Sequence, residues 1–150
     1  MTNQTTARDL LAALCLLQGL ATVAIDLNRT HATNPDWTGH ARFHLVWQTA
    51  AFAWLALLEV PLVLAGGPLQ DERFYLASVL AGVPMIGFFA AFIARRAYKG
   101  TLSDPNGMPS MKIKIQGSTV CIDLNLVAEV GGILTLAAIV ALYRHGGASY

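Results

Sequence analysis

Glu129 sits in the last long apolar run of the chain, with Asn125 four residues before it and Asp123 at the start of the run. A carboxylate among apolar residues costs several kcal/mol unless it is paired or hydrated, so in a membrane setting it is a functional candidate by default. Residues four apart share a helix face, which puts Asn125 and Glu129 together and turns Asp123 elsewhere. The same spacing recurs twice more. His40, His44 and Gln48 form one stripe, and Gln18, Thr22 and Asp26 form another. Acids and imidazoles in an apolar surrounding are the groups needed for general acid–base chemistry, and aromatic faces steady a cation formed by protonation. Phe43, Trp47 and Phe88 are the candidate aromatic walls, and Tyr98 lies just past the third apolar run.

Each signal has a plainer reading. Glu129 as an interhelical hydrogen-bonding group would contribute only about 1 kcal/mol, which Gln would supply at lower cost. His40 and His44 have the spacing of two ligands on one face, but a bare H-x-x-x-H lacks the rest of a metal set. The pair therefore reads as acid–base, substrate-positioning or structural ahead of metal-binding, and no metal or cofactor is expected. Four histidines in all are too few for a histidine-rich di-iron membrane oxygenase. Asp26 and Asp123 have Arg29 and Arg42 as potential headgroup-level partners. Glu59, just before Pro61, reads as interfacial or paired with Arg73.

The elements that hold these residues follow from composition. Of 150 residues, 55% are hydrophobic and only 13% charged, against about 25% in an ordinary soluble domain. The apolar residues fall in four runs long enough to cross a bilayer: 10–27, 40–65, 74–93 (its helix continuing to 97) and 120–143. They do not alternate strictly, so helices are expected rather than a barrel. The predicted fold is all-α, an integral membrane bundle of four transmembrane helices, with 1–150 as a single membrane domain and no repeat. The run 10–27 is short and follows Arg8, as a secretory signal would, yet no small-x-small cleavage site with a polar start follows, so it is read as a retained span. Cys15 and Cys121 fall at different depths, which argues against a disulfide or zinc site. A net charge of +1 without a basic run gives no footprint for nucleic acid.

Of the ten Lys and Arg residues, Arg8, Arg73 and Arg144 fall at one end of the predicted bundle and the other seven at the opposite end. The positive-inside rule then places the 28–39 and 94–119 connections in the cytoplasm and both termini outside. With the last helix beginning near Val120, Glu129 is expected roughly 14 Å into the membrane, level with Gln48. Asn34-Pro35-Asp36-Trp37 predicts a rigid turn with an interfacial tryptophan, followed by a cap from Thr38 or Asp36. The long connection from Tyr98 to Thr119 carries the turn signal Asp104-Pro105-Asn106-Gly107 and then the alternating Lys112-Ile113-Lys114-Ile115, a candidate lid.

The stretch Asn34-Pro35-Asp36-Trp37-Thr38-Gly39-His40-Ala41-Arg42-Phe43-His44-Leu45-Val46-Trp47-Gln48 resembles the signature of a group of small bacterial four-helix membrane proteins. In architecture the chain is similar to emopamil-binding or sterol-isomerase-like bundles and to the integral-membrane terpene cyclases of indole terpenoid and meroterpenoid pathways. That resemblance implies protonation of an isoprenoid alkene or epoxide by a membrane-embedded carboxylic acid, in a bacterial inner membrane. The D-x-D-D and D-D-x-x-D motifs of soluble terpene cyclases are absent, and the chain is shorter than the fungal membrane cyclases. The expected activity is an isoprenoid cyclase or isomerase. Glu129, Asp123, Asp26 and His44 are its candidate catalytic residues, and His40, Gln48, Asn125, Trp47, Phe43 and Tyr98 its candidate substrate contacts. Expected partners are an apolar isoprenoid-like molecule and membrane lipid, with a homo-oligomer left open. A lipid, sterol or quinone binder is the second reading, and an accessory subunit or proton-coupled transporter the third.

Overall fold

A computed structural model describes residues 2–147. Four helices account for most of the chain: α1 (Asn3–Asp26), α2 (Gly39–Leu64), α3 (Gln70–Ala94) and α4 (Leu124–Gly147). Each is long and apolar enough to cross a membrane. Between α3 and α4 a small antiparallel hairpin, β1 (Met111–Ile115) and β2 (Ser118–Ile122), pairs Met111 with Ile122 and Ile115 with Ser118. Its two-residue turn, Gln116-Gly117, takes φ of 48° and 84°, the doubly positive geometry that suits a tight hairpin.

Local chemistry accounts for the helix limits. Thr2 accepts a hydrogen bond from the Thr5 backbone N–H at 3.2 Å and starts α1 seven residues before the first apolar run, because the mostly polar residues 3–9 continue the helix beyond the hydrophobic signal. Thr38 does the same for α2, accepting from Ala41 N–H at 3.2 Å. Asp123 starts α4 by accepting from Leu126 N–H at 2.9 Å. The last helix therefore begins four residues later than expected from hydropathy, since 118–122 is a strand rich in β-branched residues (Thr119, Val120, Ile122) that hydropathy does not separate from a helix. The turn between α2 and α3 needs left-handed backbone at Gly67 (φ 87°) and Leu69 (φ 64°).

The helices run up and down. α1 packs most extensively on α2 and next on α4, α3 bridges α2 and α4, and α2 and α4 lie across the diagonal. Close approach of α1 and α2 depends on Gly19, where an added methyl would fall 2.7 Å from the Ala56 Cβ. Packing is uneven along the bundle axis. The buried cluster gathers Ala7, Leu11, Cys15, Val63, Phe74 and Tyr143, with small residues from α3, toward the end carrying the α2–α3 turn. There Tyr143 stacks on Phe74 at 3.7 Å between ring centroids and donates its hydroxyl to Asp71. Arg8 locks the same end: its Nε donates to Val63 O (2.8 Å), Nη1 to Gln70 Oε1 (3.1 Å) and Nη2 to Ala65 O (3.0 Å), satisfying carbonyls at the α2 terminus.

At the opposite end, residues 86–94 of α3 and 124–138 of α4 contribute no fully buried side chain. Many outward-facing side chains are apolar: Leu20 is 66% exposed, Trp54 68% and Ile93 78%. Exposed apolar surface of this kind marks faces that meet lipid or another protein.

Candidate functional site

The loosely packed end is the end that the polar residues occupy, and a clasp between its two connections shapes it. Asn34, only 1% exposed, donates from Nδ2 to Thr30 O (3.1 Å) and to Asn106 O (2.9 Å), while its Oδ1 accepts from Asp36 N–H (3.0 Å). One side chain thus joins the α1–α2 connection to the turn at 104–107. Gly107 is needed at the junction, because a methyl there would lie 2.9 Å from the Thr30 carbonyl oxygen. From the other side, Asn125 Nδ2 on α4 donates to Leu102 O at 3.1 Å. The long connection is tethered at both flanks.

Beneath this tether, between the end of α3 and the start of α4, lies a cleft of about 200 Å³ lined by Phe88, Ala91, Phe92, Arg95, Tyr98, Thr101, Leu102 and Asn125. Phe88 and Phe92 stack in nearly parallel planes, 5° apart. The Arg95 guanidinium lies 4.1 Å over the Phe92 ring and donates through Nη1 to Phe92 O at 2.7 Å. That leaves its Nε and Nη2 donors without a protein acceptor among the described residues. Tyr98 donates its hydroxyl to Ala91 O at 2.9 Å and forms part of the rim. The lining contains one cation, hydroxyls and a carboxamide, and no carboxylate.

Glu129 stands one turn below Asn125 on the same face of α4. Gly82 approaches Leu136, and Gly132 approaches Met85, so the α3–α4 register brings Glu129 abreast of Phe88 and Phe89. Its side chain is half-buried and makes no hydrogen bond among the described residues. Because α4 begins at Leu124, Glu129 is roughly 8 Å below the helix start, where a start at Val120 would give about 14 Å. Glu129 is therefore closer to the polar end than the hydropathy of the sequence implies.

The remaining sequence-predicted residues fall into separate groups. Asp123 serves as the α4 cap. Asp26 accepts from the Thr49 hydroxyl at 3.1 Å, linking α1 to α2 away from the cleft. His40, Phe43, His44 and Trp47 form an aromatic ladder on the outer face of α2, where Phe43 and Trp47 are more than 60% exposed. Gln48 is also exposed. The structure thus brings Asn125, Tyr98 and Phe88 to one cleft with Glu129 below it. The α2 stripe lies on the helix diagonal to α4.

Glu59 is neither interfacial nor paired with Arg73. It is 1% exposed, its Oε1 has no hydrogen-bond partner among the described residues, and the Cys15 side chain on α1 lies beside it. Arg73 instead donates to the carbonyls of Ala65 (3.2 Å) and Gly66 (2.9 Å), because the helix terminus offers bare acceptors within its reach. Arg95, Phe92 and Thr101 were missed as cleft residues. Their signal was the spacing Phe88, Phe92, Arg95, which puts two rings and a cation on one helical face. No family model matches the chain, and no curated protein or solved structure matches it.

Proposed function

We propose that this chain spans a bilayer four times and binds an isoprenoid-type amphiphile at the α3–α4 cleft. In this reading the polar end of the molecule sits at the cleft rim, and its hydrocarbon lies along Phe88 and Phe92. The observation that carries it is a bundle closed tightly at one end and open between two helices at the other, with Arg95, Tyr98, Thr101 and Asn125 beside Phe88 and Phe92 at the opening. A cleft of about 200 Å³ is smaller than the roughly 300–1,000 Å³ of a site that encloses a whole drug-sized ligand. It suits a headgroup whose tail continues into lipid. Four apolar helices favour membrane residence, and the seven cationic residues at the cleft end favour placing that end in the cytoplasm of a bacterial inner membrane.

A specific observation favours a catalytic second reading, isoprenoid cyclisation or isomerisation. Glu129 makes no hydrogen bond among the described residues and stands level with Phe88 and Phe89 along the bundle, just below the cleft. Its carboxylic acid would deliver a proton to one alkene carbon, leaving a cation on the neighbouring carbon over the rings. The resulting carboxylate would then take a proton from an adjacent carbon, which regenerates the acid and needs no oxidant or cofactor.

Native mass spectrometry of the purified protein, with extraction and identification of co-purified molecules, tests both readings. Wild type is expected to carry an isoprenoid-type amphiphile, and Ala91→Trp, which fills the cleft, to lose it. Equal occupancy in the two proteins would refute the cleft as the site. Glu129→Gln is expected to keep the amphiphile but hold it in unconverted form; the same chemical form in both proteins would eliminate the catalytic reading and leave binding.

A further inference from the structure

We infer that His40 and His44 form a surface site for a divalent transition-metal ion, independent of the α3–α4 cleft. The two side chains stand one turn apart on the outer face of α2, and both are exposed. Their ring centroids are 4.5 Å apart, whereas their Nε2 atoms are only 3.1 Å apart, so each ring turns that nitrogen toward the other. An ion 2.0–2.1 Å from both nitrogens, the usual zinc–imidazole distance, would subtend an angle of about 100° between them, near the tetrahedral value. Two convergent imidazoles are ligands for the borderline metals, zinc, copper and nickel, rather than for calcium or magnesium.

In the metal-free pair the 3.1 Å separation fits one Nε2–H donating to the other Nε2, the tautomers setting which is the donor, and that proton must leave before an ion can use both nitrogens. Moving that proton to Nδ1 of the same ring frees both Nε2 lone pairs without any net loss of protons. Nδ1 is then free to donate to water or a headgroup, the outer hydrogen bond that ligating histidines ordinarily make. The nearest cation in sequence, Arg42, is two residues from each histidine, which places it off their face, and it is half-buried. No third His, Cys, Asp or Glu joins the pair among the described residues, so the remaining coordination positions face outward to water or to another molecule.

The test uses tag-free protein in detergent micelles, stripped of metal and titrated with Zn²⁺ against a chromophoric chelator. Cu²⁺ paramagnetic resonance serves as a second readout of the ligating nitrogens. Wild type is expected to bind one ion per chain, or one per two chains, with two imidazole nitrogens of each chain coupled to Cu²⁺. Each of His40→Gln and His44→Gln should weaken Zn²⁺ binding at least tenfold, while His145→Gln should leave it unchanged. Both histidines are exposed, so the helical circular dichroism of the variants is expected to match wild type and to exclude misfolding as the cause. Zn²⁺ binding in the double variant as tight as in wild type, or a Cu²⁺ signal without two coupled imidazoles, would overturn the inference.

Discussion

Removing the Asn34 side chain separates the two connections that roof the cleft, and its cost follows from three hydrogen bonds. Asn34→Ala deletes donation to Thr30 O and Asn106 O and acceptance from Asp36 N–H, all at 2.9–3.1 Å in a position that is 1% exposed. At a net contribution of about 1 kcal/mol per bond, the loss is about 3 kcal/mol, on the order of a hundredfold in the opening equilibrium of this junction. The effect should be local, because the buried cluster lies at the other end of the bundle. Amide hydrogen exchange reads it directly: Asp104 N–H, bonded to Met108 O, and Gly107 N–H, bonded to Asp104 O, are expected to lose protection. Amides in the first half of α1 should not change. Asn34→Asp is the sharper control, since it keeps the acceptor for Asp36 N–H but turns an oxygen toward two carbonyl oxygens. It should deprotect the same amides at least as much as the alanine variant. Unchanged exchange at 104 and 107 in both variants would refute the clasp.

Gly19→Ala should destabilise the α1–α2 contact by about 1–3 kcal/mol, because its methyl would stand 2.7 Å from the Ala56 Cβ, and a lower thermal midpoint in detergent would register this. Arg8→Lys is expected to lower the midpoint as well, by roughly 1–3 kcal/mol of stability, since an ammonium cannot reproduce a fork that reaches three acceptors. Arg95→Gln should release an anionic or acceptor-headed amphiphile from the cleft while leaving the midpoint nearly unchanged, as judged by native mass spectrometry beside a melting curve. Glu59→Leu should raise the midpoint by removing a buried carboxyl whose Oε1 has no hydrogen-bond partner among the described residues, and a lower midpoint would show that the carboxyl stabilises the core.

Hydropathy made the four helices legible, because runs of apolar residues roughly 20 long have few other structural outcomes. Their limits were less legible. The mostly polar residues 3–9 extend α1 invisibly to hydropathy, and the strand 118–122 looks like the beginning of a helix until its partner Lys112-Ile113-Lys114-Ile115 is paired with it. Within the site, the face shared by Asn125 and Glu129 was readable from spacing alone. The orientation of α2 was not. A stripe of His40, His44 and Gln48 at four-residue intervals establishes that they share a face, but only the packing of α2 on α1 and α3 decides which way that face points, and here it points outward. Asn34 illustrates the same limit in reverse. Its sequence context predicts a local turn, which forms, while its longest-range bond reaches Asn106, 72 residues away, and no local pattern encodes that.

The two carboxylates of the bundle interior show how packing sorts residues of one chemical type. Glu59 lies on the α2 face that holds Ala56 and Val63 against α1, where small side chains allow close helix approach and little space remains for water or ligand. Glu129 lies on a stretch of α4 that buries no residue completely, below a cleft that opens outward. An acid that exchanges protons with a bound molecule needs access to it and to a surface from which it can be reprotonated. Of the two, Glu129 is the one near such a surface, since it is half-buried and lies roughly 8 Å from the polar end of its helix. Glu59 is 1% exposed and packs beside Cys15, away from any such surface. The difference in depth of packing, rather than the residue type, is what separates Glu129 from Glu59.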